Sequence, residues 1–467
     1  MRLFKITKTL LEYLVFNKLN RHSNKILGKR LREACEKLGT TYIKFGQMLS
    51  IKSEIFSKED CKELRKLFEQ IQEIPYSKIK EIFQHDFGKY PEEIYEKFNP
   101  KPISSASISQ VYKAKLKNGK DVAVKVRRPH IGKTIESDMK TLKKLTRFFQ
   151  FFSPTLKRLS VVTVIDELKS WLLQEIDFKQ EVKNMIAIKK YYSFGDLKKF
   201  YKNLGYSFFI KPCDKYCSNN IITMDYVKGI LLNNVNSIKN NSGYDIKKSI
   251  KTYICGGIHA MFYNKGDYLF QADPHLANIF ILKDGNCANV DWGFMGKVKP
   301  NELKHMKNLF LSVYSQNLNR TIKSSLVMCD SYTKKNTNRI QKDVKIYLEK
   351  AQSEGIGFWF MGMVKIFIKH KIPVPSFLAS FGRCGFILDG TYKTIAPNST
   401  TLDLIEPILK GAMQKEIINN FKNIKYGPLL YNISEKIKDS PEKFNKLLDQ
   451  YYDNPLKLIR DVKKTIV

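Results

Sequence analysis

The sequence predicts an α+β fold: a helical stretch, then a small mixed lobe, then a mainly helical lobe. Three observations carry that prediction. Between residues 96 and 128 the apolar period changes from helical to two, and two short runs flank a turn signal. From about 300 to 467 the pattern is almost wholly helical. The 467 residues are 43% hydrophobic and 12% aromatic, enough for a sizeable core, which excludes wholesale disorder. These shifts set expected boundaries at 1–95, 96–228 and 229–467.

Residues 1–95 read as helices joined by short polar breaks, with Leu64, Leu67, Phe68 and Ile71 as one buried stripe. Ser107 to Ala114 alternates, Lys117-Asn118-Gly119-Lys120 is a hairpin turn, and Asp121 to Val126 is the returning strand. Residues 131–192 read as helical, with a basic, aromatic middle of Phe148, Phe149, Phe151 and Phe152 near Arg147, Lys157 and Arg158. Short strands return over 208–227, and a helix is expected over 245–268. A compact loop around Asp273 follows, then a strand pair split by Lys283-Asp284-Gly285-Asn286. No stretch reaches the ~18 apolar residues of a membrane span. The longest, Ile356 to Ile368, is interrupted by Lys365.

The chain holds 81 Lys and Arg against 45 Asp and Glu, a formal charge of +36. Such a surface favours polyanions without choosing among nucleic acid, anionic membrane and nucleotide phosphate. No recognisable nucleic-acid motif accompanies it, so no specific nucleic-acid binding is expected. None of the eight cysteines forms a CxxC pair, and Cys213 and Cys217 have no nearby His to complete a zinc set. A reducing, intracellular compartment follows. Residues 1–30 carry eight basic residues and one acid, Glu12, with Leu3, Ile6, Leu10 and Leu14 at helical spacing. An organelle transit segment, an interfacial helix and an ordinary packed amphipathic helix all fit, the last being preferred. No signal peptide or C-terminal membrane anchor is expected.

The chemistry lies in four segments. Lys125 sits within a β-branched strand, Val122-Ala123-Val124-Lys125. Before the hairpin, Ser104-Ser105-Ala106-Ser107 is a run of small residues whose backbone N–H groups can approach phosphate oxygens. Asp273 and Asn278 are five residues apart, the Asp-to-Asn interval of a protein-kinase catalytic loop. Asp291 follows Asp273 by 18 residues, with a turn-linked strand pair between. Phosphoryl transfer needs hard oxygen ligands for Mg²⁺ and an acid or base near the nucleophile, and this set supplies both.

These residues, with two further motifs, resemble the UbiB family of atypical kinases, also called ADCK or aarF-domain-containing kinases, over about residues 30–300. Lys44-Phe45-Gly46-Gln47 matches its KxGQ signature, and Ser104 to Val111 its alanine-rich loop. Glu175-Ile176-Asp177 matches its ExD motif. Ala272-Asp273-Pro274-His275 through Asn278, then Asp291-Trp292-Gly293, match its catalytic and metal segments.

The resemblance implies a protein-kinase-like two-lobe fold with a family-specific N-terminal helical extension. It implies that Lys125 contacts the α/β-phosphates of ATP, that Asp291 and Asn278 bind Mg²⁺, and that Asp273 is the catalytic-loop aspartate. Glu181 is expected as the carboxylate paired with Lys125, with Glu175 the runner-up. Lys44, on the segment that also carries Gln47, is expected to reach Glu175 and Asp177. Met224 and Tyr226 fall where a hinge binds adenine through its backbone. His275 reads as a structural hydrogen-bonding group in preference to a base or ligand.

Three positions depart from the usual pattern. Ser104-Ser105 replaces alanines, Leu276-Ala277 replaces Pro-Gly, and Trp292 replaces Phe. None removes a charged group. The implied function is ATP hydrolysis, or phosphorylation of a small or lipid-like molecule, linked in the family to isoprenoid-quinone and other lipid metabolism. Peripheral contact with anionic membrane suits the basic, aromatic stretches at 1–20 and 147–158. The alternatives are a true protein kinase and a nucleotide-binding pseudokinase without turnover.

Overall fold

The expected hairpin forms around a turn that only a small residue takes easily. Gly119 has φ +83°, and its N–H donates to Leu116 O at 2.8 Å while Leu116 N–H donates to Lys120 O at 2.9 Å. The turn joins β3 (Ser109–Lys115) to β4 (Asp121–Arg127) in antiparallel register, Val111 opposite Lys125. The structure, a computed structural model, describes residues 8, 25–50, 57–68, 73–152, 161–192, 210–234, 243–263, 266–274 and 276–421. The stretches 1–7 and 9–24, Ile71, residues 153–160, His275 and residues 422–467 lie outside these, with the expectations that fall on them. So do the side chains of Phe68, Phe148, Phe149, Phe151 and Phe152.

The chain forms two compact units: residues 1–186 with 211–227, and residues 187–210 with 228–467. Segments 25–95 and 96–186 therefore fall in one unit.

In the first unit the sheet runs β1 (Lys97–Phe98), β3, β4 and β5 (Ile221–Asp225), with β2 (Ser104–Ser105) also paired to β3. The even positions Val122, Val124 and Val126 of β4 pack with Phe83, Tyr95, Phe98 and Tyr112. The odd positions Ala123 and Lys125 are buried on the other face, so β4 is covered on both sides. Helices α1 (Lys25–Leu38), α2 (Thr40–Leu49) and α3 (Lys58–Arg65) close around Cys35, Leu38, Tyr42, Leu64 and Leu67. Next in chain order come α4 (Tyr76–Phe87) and the single turn α5 (Pro91–Ile94), then α6 (Ile131–Phe152), α7 (Val161–Glu175) and α8 (Phe178–Tyr192). Over 210–227 the only regular strand is β5, joined by an isolated bridge at Pro212, fewer strands than expected.

The second unit begins with β6 (Ile230–Leu231) and α9 (Ile246–Tyr263). The helix expected to reach 268 stops earlier, because Tyr268 opens β7 (Tyr268–Gln271) with its ring buried against Phe270. Two ladders follow: β8 (Ile279–Ile281) with β9 (Cys287–Asn289) and β6, and β7 with β10 (Met295–Val298). Beyond them lie α10 (Pro300–Tyr314), α11 (Leu318–Met328), α12 (Lys334–Glu354), α13 (Ile356–Lys369), α14 (Ser376–Ile395) and α15 (Thr401–Phe421). Phe310, Phe360 and Phe381 meet at 5.0–5.7 Å between ring centres and hold these helices together. No helix among the described residues is long and apolar enough to cross a membrane. All eight cysteines are free thiols.

Candidate functional site

In the first unit, three cations converge on the break between α7 and α8. Lys125 and Arg127 are two apart on β4 and so share a face. Lys125 Nζ lies 2.8 and 2.9 Å from the two Glu181 carboxylate oxygens, with the Phe178 ring 5.2 Å away. Both partners are almost fully buried, at 6% and 1% exposure. Arg127 donates to Ile176 O at 2.9 Å, and burial lowers its pKa despite Asp86 and Asp177 nearby. Lys44 of α2 pairs with Glu175 and stands 5.0 Å from the Trp171 ring centre. Of the two carboxylates considered for Lys125, Glu181 stands against it and Glu175 against Lys44.

One expectation for the KxGQ and ExD segments needs correction. Asp177 does not share Lys44: its carboxylate accepts Gln180 N–H at 3.0 Å, capping the start of α8. Gln47 is 5% exposed and donates through Nε2 to Leu67 O at 2.9 Å, so it binds α2 to the turn after α3. Gly46 has a packing reason too. A Cβ there would come within 2.3 Å of Leu67 Cδ1 and 3.0 Å of Cys35 Sγ.

The small-residue loop is a closed hairpin. Ser104 pairs with Val111 and Ser105 with Gln110. The register sets Ser104, Val111 and Lys125 in one row across three strands. Ala106 N–H donates to Ser109 O at 2.8 Å, so this amide is already committed inside the loop. Arg128, which the motif reading missed, clasps the loop: Nε donates to Ala106 O at 3.0 Å and a terminal nitrogen to Ser105 Oγ at 3.1 Å. Ser107 is buried at 3% exposure. Met224 is also buried, opposite Ala123, while Tyr226 is half-buried with Lys113 Nζ 4.8 Å from its ring centre.

In the second unit, two connecting segments run between the same two ladders. Residues 272–278 lead from β7 to β8, and residues 290–294 lead from β9 to β10. Val290 N–H donates to Asn278 O at 2.9 Å, and Ala272 N–H to Phe294 O at 3.1 Å. The ladders thereby bring Asp273 and Asn278 alongside the Asp291 segment. Asp291 Oδ1 accepts Gly293 N–H at 2.9 Å, its backbone N–H donates to Asn289 Oδ1 at 3.1 Å, and its carbonyl accepts the Gln271 amide. Trp292 is buried, with Nε1 donating to Asn289 O at 3.1 Å. Asp273 has no ion-pair partner among the described residues.

Among the described residues no group of three or more His, Cys, Asp or Glu is placed to hold a metal. The donor chemistry nonetheless fits Mg²⁺. One carboxylate (Asp291) and one amide oxygen (Asn278) are hard oxygen ligands, and Mg²⁺ characteristically fills its shell with phosphate oxygens and water.

The sequence matches the ABC1 atypical kinase-like domain over residues 66–325, more than half of the chain. The chain belongs to this family. The match starts after Lys44-Phe45-Gly46-Gln47 and covers Lys125, Glu181, Asp273, Asn278 and Asp291. An aarF domain-containing protein kinase, chloroplastic, of Arabidopsis thaliana is 30% identical over 292 residues, 61% of this ABC1 chain. This chain spans only 51% of that relative's length. A probable protein kinase UbiB of Enterobacter sp. is 26% identical over 410 residues, 85% of this chain and 72% of the relative. The structure of an Rv3197–erythromycin complex from Mycobacterium tuberculosis matches 82% of this chain and 93% of its own, at 21% identity and a TM-score of 0.47.

Proposed function

We propose that this ABC1-family chain binds ATP with Mg²⁺ and either hydrolyses it or passes its terminal phosphoryl group to a small or lipid-like acceptor. The observation that carries the reading is the buried Lys125–Glu181 pair, set in one strand row with the small-residue loop. A charge of this kind is costly to bury and needs both good geometry and a reason to stay. Lys125 is then oriented for phosphate by Glu181. Bound Mg²⁺ would neutralise developing phosphate charge, held by Asp291 and Asn278. Asp273, with no ion-pair partner among the described residues, orients the attacking hydroxyl and accepts its proton.

Thermal unfolding with Mg-ATP tests this on wild type and Asp291→Asn. Ligand at ~100 times its dissociation constant stabilises the fold by about 2.7 kcal/mol. A Mg²⁺-dependent shift in wild type, abolished by EDTA and lost in Asp291→Asn, is expected. No shift with any nucleotide and metal would overturn the reading. ADP release then separates turnover from binding alone, and phosphate transfer to a protein acceptor would favour the protein-kinase alternative.

A further inference from the structure

We infer that Gln271 is a positioning residue for the candidate metal site, and that its amide N–H sets the backbone that presents Asp291. This deepens the nucleotide reading above and rests on it. Gln271 is the last residue of β7, two before Asp273, and is 7% exposed. Its backbone pairs with Met295, yet its side chain reaches past the 292–294 turn to donate through Nε2 to Asp291 O. One residue thus ties the strand that leads into the Asp273 loop to the carbonyl of the metal-segment aspartate. Together with the Asn289 Oδ1 and Gly293 N–H bonds, it fixes the backbone N–H, the carbonyl and Oδ1 of Asp291. Metal ligands must be held to within about half an ångström, and that precision comes from bonds of this kind behind the ligand.

The other end of the amide supports the assignment. Gln271 Oε1 is buried and has no hydrogen-bond partner among the described residues. It borders a cavity of about 80 Å³ beside Trp292, lined mostly by apolar and aromatic side chains including Tyr268, Phe270 and Phe381. An unsatisfied buried acceptor is a stability cost. For packing alone, Leu or Met of similar volume would serve better here. What neither can supply is the N–H donated to Asp291.

The experiment compares wild type with Gln271→Met, which keeps volume and removes the donor, and Gln271→His, which keeps a ring N–H. ATP binding is measured by calorimetry in EDTA and across a Mg²⁺ titration, alongside unfolding without ligand. Gln271→Met is expected to melt at or above wild type and to bind ATP in EDTA as wild type does. It should need roughly tenfold more Mg²⁺ for half-maximal tightening, with Gln271→His much closer to wild type. An unchanged Mg²⁺ requirement in Gln271→Met overturns the inference while leaving the nucleotide site intact. So does a parallel fall in melting temperature and metal-free binding, which marks a purely structural role, or an equal shift in both variants. Absence of Mg²⁺-dependent ATP binding in wild type overturns the nucleotide reading itself and the inference with it.

Discussion

Two sites, one in each unit, bury carboxylates by different means. In the first, Glu181 and Glu175 each face a lysine, Lys125 and Lys44. In the second, Asp389 of α14 is 6% exposed and has no ion-pair partner among the described residues. It accepts the Thr401 hydroxyl and, at 2.7 Å, Phe358 N–H at the start of α13, so it caps a helix from outside. Burial pushes its pKa up to about 7, the hydrogen bonds opposing without cancelling the rise. An acid neutralised by a cation is vulnerable to loss of its partner, whereas one held by neutral donors is vulnerable to pH.

The largest expected effect breaks the first kind of site. Lys125→Met takes away the lysine that both Glu181 oxygens face and should cost about 3–5 kcal/mol in denaturant unfolding. Adding Glu181→Leu should recover most of that loss. If the single variant is as stable as the double, the pair is not what holds Glu181.

Asp389 gives the next effect. Its folded pKa lies above the unfolded value near 3.9, so the folded state binds the proton more tightly. The contribution is fully present below about pH 4 and is lost as pH rises through about 7. Over that window it amounts to about 4 kcal/mol. Asp389→Asn should flatten that part of the stability–pH curve. An unchanged curve would mean that Asp389 is ionised in the fold throughout.

The smallest effect separates the two pairs of the first unit. Lys44 and Glu175 keep 17% and 11% side-chain exposure, against 8% and 1% for Lys125 and Glu181. Water screens the more open pair, so Lys44→Met should cost only about 1 kcal/mol. A loss equal to that of Lys125→Met would show that exposure does not rank these sites.

What the sequence made legible follows from how each signal is encoded. The hairpin was readable because alternation and an Asn-Gly turn are local, and the α+β class because the period changes along the chain. Lys125, Asp273, Asn278 and Asp291 stand out because charged and amide side chains at these fixed intervals are rare in apolar surroundings. The partners of Gln47 and Asp177 are not legible in the sequence, for one reason. A motif names residues but not which neighbour each will meet, and Leu67 O and Gln180 N–H are backbone groups with no residue-type signature. Arg127, Arg128 and Gln271 escaped notice likewise, since each acts on a carbonyl oxygen. In a chain with 81 basic residues, two more arginines carry no signal until the fold shows what they touch.

The clasp on residues 104–109 has a consequence for timing. With Ala106 N–H bonded to Ser109 O and Arg128 holding Ala106 O and Ser105 Oγ, the loop is ordered before any ligand arrives. The Ala106 amide should therefore exchange slowly with deuterated water in the nucleotide-free protein. On the nucleotide reading proposed above, phosphate would meet a loop whose Ala106 N–H and Ala106 O are already hydrogen-bonded within the protein.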